Sequence, residues 1–214
     1  MNNTSINIAK QLLQIYAIKL NPASPFTWAS GLRSPIYCDN RQTLSYPDIR
    51  ASIKNAFVDT LAREFPNVEL IAGVATGGIA IGAILADALN LPFIYVRTSA
   101  KQHGLGNQIE GFFTPGQKTV VIEDLISTGS SSLQVVDVLR GAGVDILGMV
   151  SIFSYGFQRS VDNFAKADCK LFSLSNYQDL LLAAIETGYI GQEQLSALKS
   201  WSRDPEAWSA QFKV

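Results

Sequence analysis

VVIEDLISTGSS, residues Val120 to Ser131, sets an apolar run against two carboxylates, two further apolar residues and then a burst of hydroxyls around one glycine. Residues 119–124 do not alternate between apolar and polar, so they read as a strand buried on both faces. The Ser/Thr/Gly group reads as the turn that opens a helix over 130–141. A buried strand that passes directly into a helix is the repeating unit of an α/β fold.

The same alternation extends in both directions. Strands are predicted at 69–74, 92–97, 145–154 and 170–173, and helices at 78–89, 158–167 and 177–187. Because ILGMVSIF is nearly all apolar, like TVVIE, the expectation is a doubly wound, mainly parallel central sheet covered by helices. Ligands of such sheets bind at the carboxyl ends of the strands, which directs attention to the turns after Val74, Arg97 and Asp124.

Upstream, Ile8, Leu12, Ile15 and Tyr16 recur at helical spacing and predict a helix over 5–19, ending before Asn21-Pro22. Residues 22–47 are rich in Pro, Ser, Gly and aromatics and read as a small irregular lobe with a short strand at 36–38. Ser45 and Pro47 resemble a helix start, with Ile49, Ile53, Phe57, Val58 and Leu61 as the buried stripe. Near the end, Trp201, Trp208 and Phe212 suit a helical cap on the core or part of an interface; buried aromatics usually serve the core. The predicted organisation is one structural unit: an N-terminal helix and lobe over 1–46, a core over 47–190 and a cap over 191–214.

A chain of 214 residues, 47% hydrophobic and 16% charged, suits one well-buried domain. A net charge of −1 gives no general basic field, which argues against a nucleic-acid partner and requires any anion to be met by a focused site. The most apolar stretch, 77–96, is interrupted by Asp87, Asn90 and Pro92, which argues against a membrane span. The start MNNTSINIAK lacks the pattern of a signal peptide, and Cys38 and Cys169, distant and beside apolar residues, suit reduced thiols in the cytoplasm. One histidine and two distant cysteines do not make a zinc site.

Adjacent carboxylates at Glu123 and Asp124 can accept hydrogen bonds from the vicinal hydroxyls of a ribose. The following helix start offers free N–H groups, hydroxyls and a positive dipole end, which suit a phosphate monoester. The same residues also read as an acidic strand end and an ordinary Ser/Thr helix cap. Arg97, Lys101 and His103 lie close together before Gly104 and Gly106, a cationic segment on permissive backbone. Delivered by a closing lid, Lys101 and His103 would stabilise an anionic leaving group and exclude water; a solvated basic loop is the alternative. The turn Gly73-Val-Ala-Thr-Gly-Gly permits close backbone approach to a ligand, or simply tight helix-to-strand contact.

The stretch 120–131 resembles the phosphoribosyl pyrophosphate signature of type I phosphoribosyltransferases. That resemblance implies that Glu123 and Asp124 hold the ribose hydroxyls while Ser127, Thr128, Gly129, Ser130 and Ser131 cradle the 5-phosphate, with Leu125 and Ile126 between them also counted as donor-binding. Two further segments, FTWASGLRSPIYCDNR from Phe26 and YVRTSAKQHGLGNQIEG from Tyr95, are similar to the amino-terminal lobe and catalytic loop of orotate phosphoribosyltransferases. In that family the loop reaches the neighbouring subunit's active site, so the resemblance implies a homodimer. It also implies Arg97, Lys101 and His103 as donor-binding residues, Lys101, His103 and Asp124 as catalytic, and Thr76, Gly77 and Gly78 as the pyrophosphate turn. Magnesium is expected to ride on ligand oxygens and water, without direct protein ligands.

Several positions depart from the family pattern. Ala29 stands where many members have a lysine, Tyr155 where they have an arginine, Gly77 where some have a lysine, and Thr98 and Ala100 where basic residues are frequent. Orotate is an anion, and Arg33, with Ser127, is the candidate replacement contact; Tyr37 is placed to stack on the pyrimidine. The expected activity is transfer of the phosphoribosyl group to orotate in pyrimidine biosynthesis. A purine-base transferase and a regulator that senses phosphoribosyl pyrophosphate are the rivals.

Overall fold

In the computed structural model, residues 3–97 and 108–212 are described. Helix α1 (Asn3–Gln14) leads into strand β1 (Ile18–Leu20), which pairs antiparallel with β4 (Ile36–Cys38); between them β2 (Phe26–Thr27) and β3 (Arg33–Ser34) form a second small hairpin. The predicted helix over 5–19 is therefore too long. Tyr16 takes a left-handed conformation, φ 56°, which no helix can continue, and the chain from Ile18 is claimed by the sheet pairing.

A 3-10 turn at Asn40–Ser45 ends where α2 (Pro47–Glu64) begins. Pro47 occupies the first helical position, where its missing N–H is harmless and its φ is preset. Ile49, Ile53, Phe57 and Leu61 are buried as the stripe predicts; Val58 is only half-buried at its edge. The core then alternates: β5 (Leu70–Val74), α3 (Gly77–Leu89), β6 (Phe93–Val96), β7 (Ile109–Glu110), β8 (Lys118–Ile126), α4 (Ser130–Gly141), β9 (Asp145–Ser154), α5 (Gln158–Lys166), β10 (Leu171–Asn176) and α6 (Tyr177–Glu186). Helices α7 (Gln192–Arg203) and α8 (Pro205–Ala210) follow.

The main sheet has the order β10-β9-β8-β5-β6-β7. All pairs are parallel except β6–β7, so a short antiparallel edge, not visible in the hydrophobic pattern, makes the sheet mixed. Alternate residues divide between two cores. Val120, Ile122, Val150 and Ile152 face the cluster that contains α1, α2 and α6, whereas Ala72, Val121 and Met149 face the one that contains α4. That two-sided burial is why the strands are continuously apolar. After β5 the chain runs outward to β6 and β7, then returns to the other side of β5 as β8, so the strand order reverses between β5 and β8. This is the position at which doubly wound folds bind ligands.

Strand β8 continues two residues past the predicted end. Its pairing with β5 stops at Ile122, but Leu125 and Ile126 still pair with Phe153 and Ser154 of β9. Glu123 and Asp124 thus lie inside the strand, where β5 has ended and one edge is open. At the other end of the chain, α7 and α8 pack on the N-terminal hairpins: the Ser209 hydroxyl accepts the Arg33 N–H at 2.9 Å, and Trp201 is fully buried against Trp28, Tyr155, Phe157 and Tyr177. Among the described residues no helix is long and apolar enough to cross a membrane.

Candidate active site

The ends of β5 and β8 bring two turns together. Asp124 is half-buried, and its carbonyl, released from the sheet, accepts the Asn40 amide at 2.7 Å. Its carboxylate lies directly over Gly77, so that a Cβ built on Gly77 would fall on it. This accounts physically for the glycine: the volume a larger residue needs is filled by Asp124. Gly78 is equally tight against the Ile122 carbonyl. The Ala75–Thr76 peptide is cis, and Thr76 is exposed at the start of α3.

Glu123 is buried behind Asp124. Its carboxyl accepts the Ser132 hydroxyl at 2.8 Å and the Asp124 N–H at 3.0 Å. Burial, reinforced by the neighbouring Asp124 charge, pushes its pKa from 4.5 to about 8. Glu123 therefore holds a proton near neutrality and anchors the strand to α4, while Asp124 presents the carboxylate.

The turn after β8 opens α4. Gly129 is its N-cap with φ 76°, a left-handed conformation that glycine adopts without steric cost, and the first helical bond runs from the Leu133 N–H to the Gly129 carbonyl at 2.9 Å. The N–H groups of Ser130, Ser131 and Ser132 therefore precede the helical ladder. Thr128 and Ser130 hydroxyls are 3.1 Å apart, and the Thr128 carbonyl is fixed by the Asn163 amide at 3.0 Å. Backbone donors, hydroxyls and the positive helix end converge here, the arrangement that holds a phosphate.

This turn opens onto a cavity of about 720 Å³, within the range of small-molecule sites. Leu125, Ser127 and Thr128 form one wall; Trp28, Tyr37 and Cys38 of the N-terminal lobe form another. Tyr37 sits against Phe26 with ring centroids 5.8 Å apart. Burial and the nearby Asp124 and Asp39 push the Cys38 thiol well up, so it remains a thiol rather than a nucleophilic thiolate.

The predicted site residues thus divide. Glu123, Asp124, residues 125–131 and residues 76–78 gather at the reversal of strand order; of them Leu125, Ser127 and Thr128, with Tyr37 of the lobe, line the cavity, while Glu123 is buried against Ser132 behind Asp124 and is not turned outward as expected. Arg97 directly follows β6, with its guanidinium 3.3 Å from Glu110, tied to the antiparallel edge. Lys101 and His103 lie outside the described residues. Arg33 does not line the cavity: it is exposed and donates to the Thr27 hydroxyl at 3.1 Å. Tyr155 is buried and stacks on Phe157 at 5.4 Å; these two rings, with Trp28, form the floor, backed by the fully buried Trp201. The sequence reading passed over Trp28, Phe157, Arg159 and Arg203, which also line the cavity. A Tyr-Gly-Phe-Gln-Arg run after an apolar strand is the one sequence signal for the floor.

Comparison with known proteins agrees with this geometry. Residues 44–178 match the phosphoribosyl transferase domain model. The orotate phosphoribosyltransferase of Porphyromonas gingivalis is 52% identical over 201 residues, 94% of this chain and 96% of the relative; that of Streptococcus pneumoniae is 54% identical over 202 residues, with 94% and 96% covered. Among solved structures, Aeropyrum pernix orotate phosphoribosyltransferase superposes with a TM-score of 0.75 at 28% identity, covering 86% of this chain and 99% of the other. Leishmania donovani UMP synthase shares the fold with a TM-score of 0.79 at 24% identity, covering 94% of this chain and 42% of that larger one. With the β8–α4 turn, the adjoining glycine turn and the lobe-covered cavity in one place, the chain belongs to the phosphoribosyl transferase family, among the orotate phosphoribosyltransferases.

Proposed function

We propose that the protein transfers the 5-phosphoribosyl group of phosphoribosyl pyrophosphate to orotate, giving orotidine 5-monophosphate and pyrophosphate. The observation that carries this reading is that the turn leading into α4 contributes Ser127 and Thr128 to the same cavity that Trp28 and Tyr37 of the N-terminal lobe line, so one ligand can hold its phosphate at the turn and its base under the lobe. Ser127 to Ser131 hold the 5-phosphate through N–H groups and hydroxyls. Asp124 accepts hydrogen bonds from the ribose hydroxyls, held in place by Asn40 and by the buried Glu123–Ser132 contact behind it. The pyrophosphate lies toward the turn Thr76, Gly77 and Gly78, whose exposed Thr76 opens α3 and whose Gly77 lies against the Asp124 carboxylate.

The orotate ring nitrogen attacks C1 of the ribose as the bond to pyrophosphate breaks, through a transition state with oxocarbenium character. Charge grows on the leaving group, and Arg97, Lys101 and His103 are the cations assigned to it. The covering lobe excludes water that would hydrolyse the donor. Among the described residues no cluster of three or more His, Cys, Asp or Glu side chains is placed to hold a metal ion. Asp124 alone faces outward and suits an indirect contact to an ion held by ligand oxygens and water, as magnesium commonly is; Glu123, buried behind it and bonded to Ser132, does not. Bound on the diphosphate, magnesium would supply charge neutralisation of the leaving group. The reading includes a cytoplasmic homodimer in which the segment containing Lys101 and His103 serves the neighbouring subunit, as in the resembled family.

Mixing purified protein, magnesium, phosphoribosyl pyrophosphate and orotate should remove orotate absorbance and release one pyrophosphate per base consumed. No consumption of orotate, with adenine or uracil converted instead, would overturn the assignment.

A further inference from the structure

The family-typical basic positions at Ala29 and Tyr155 are lost, and Arg33 is turned to Thr27, yet an orotate carboxylate needs a positive partner when it is taken from water. The chain has eight arginines, all within the described residues. Six are engaged: Arg33 with Thr27, Arg41 with Asp39, Arg50 with the Leu44 carbonyl, Arg63 with Glu64, Arg97 with Glu110 and Arg140 with the Ala167 and Asp168 carbonyls. The remaining two, Arg159 and Arg203, make no hydrogen bond or ion pair among the described residues, and both line the cavity.

We propose that Arg159 and Arg203 supply the carboxylate-recognising charge of the base pocket, and that the C-terminal helices thereby take part in selecting the substrate. The inference rests on the orotate reading above and deepens it.

Arg159 sits in the first turn of α5, two residues after Phe157, and Arg203 is the last residue of α7, directly after the Trp201–Ser202 pair. Tyr155, Phe157 and Trp201 are in mutual ring contact at centroid distances of 5.4–5.6 Å. That buried aromatic contact brings two arginines distant in sequence to one cavity. Two carboxylates, Asp204 and Glu206, share the wall, yet neither closes within ion-pair distance of a guanidinium. Asp204 is instead committed to the Ala207 N–H at 2.9 Å, capping α8. Both guanidinium forks are thus left for a planar anion, which they match bidentately. A neutral pyrimidine would gain the aromatic floor and nothing from the arginines, so the pair separates a pyrimidine carboxylate from the plain base.

The test is the double variant Arg159→Gln/Arg203→Gln in the full-length protein, with Arg159→Lys as the conservative control. The KM for orotate should rise about 30-fold or more while the KM for phosphoribosyl pyrophosphate and the melting temperature stay near wild type. Inhibition by uracil, which lacks the carboxylate, should be unchanged, and Arg159→Lys should lose less than the corresponding Gln variant. A double variant whose orotate KM lies within threefold of wild type, or whose KM rises equally for both substrates, would overturn the proposal while leaving the functional assignment intact. A wild-type protein inert toward orotate would instead remove the functional assignment, and this inference with it.

Discussion

Glu123→Gln offers a prediction whose sign follows from one buried group. With the carboxyl raised from 4.5 in the unfolded chain to about 8 by burial and by Asp124, the folded state holds more protons than the unfolded state between those values. Stability from this group is complete below about pH 4.5 and is lost as pH rises, until the folded carboxyl also ionises near pH 8. At about 1.4 kcal/mol per pKa unit, the loss between pH 5 and pH 8 is on the order of 4 kcal/mol. Glutamine keeps the shape and both contacts: its carbonyl accepts the Asp124 N–H, and its amide donates to the Ser132 hydroxyl, which now serves as acceptor. It does not titrate. In a chain of this size about 1 kcal/mol shifts the melting temperature by roughly 2–4 °C. The melting-temperature difference, variant minus wild type, should therefore grow by about 10 °C between pH 5 and pH 8 and then level off. Titrating groups other than Asp124, whose carboxylate interacts directly with Glu123, are common to the two proteins and cancel. Scanning calorimetry at half-unit pH steps measures it; a difference that is flat, or that shrinks as pH rises, would show that Glu123 is ionised in the ligand-free protein and would refute the reasoning.

Gly77→Ala places a methyl on the Asp124 carboxylate, and displacing that group by about an ångström should reduce kcat/KM for phosphoribosyl pyrophosphate on the order of 100-fold, with circular dichroism unchanged. Trp201→Ala removes the fully buried ring that joins α7 to Trp28 and Tyr155, and should cost about 3–5 kcal/mol in chemical denaturation.

The sheet was legible because its strands are covered on both faces and must be apolar throughout; β9 and α4 have the predicted bounds, and β5, α3 and β6 lie within a residue at each end. The edge strand Ile109–Glu110 was not legible, since two residues carry no period and exist as strand only through Tyr95 and Val96 beside them. The extension of β8 was hidden for a related reason: Glu123 and Asp124 interrupt the apolar run, although pairing with β9 continues through Ile126. In the site, the hydroxyl-rich turn and its carboxylates form one local segment and could be read directly. The cavity's far wall could not. Arg33 lies in the lobe but bonds to Thr27 instead of lining the cavity, whereas Arg159 and Arg203 reach the same cavity only because Trp201 folds back onto Tyr155 and Phe157. Local spacing reveals a turn; it does not reveal which distant helix ends close a pocket.

The proposed function requires one cavity to join a phosphoribosyl donor to orotate in preference to other bases. Equimolar orotate, uracil, adenine and hypoxanthine can be offered together with magnesium and limiting phosphoribosyl pyrophosphate, and the products resolved by mass spectrometry. Orotidine 5-monophosphate should be the dominant nucleotide; a purine nucleotide or uridine 5-monophosphate as the main product, with orotate left unconsumed, would contradict the proposed function.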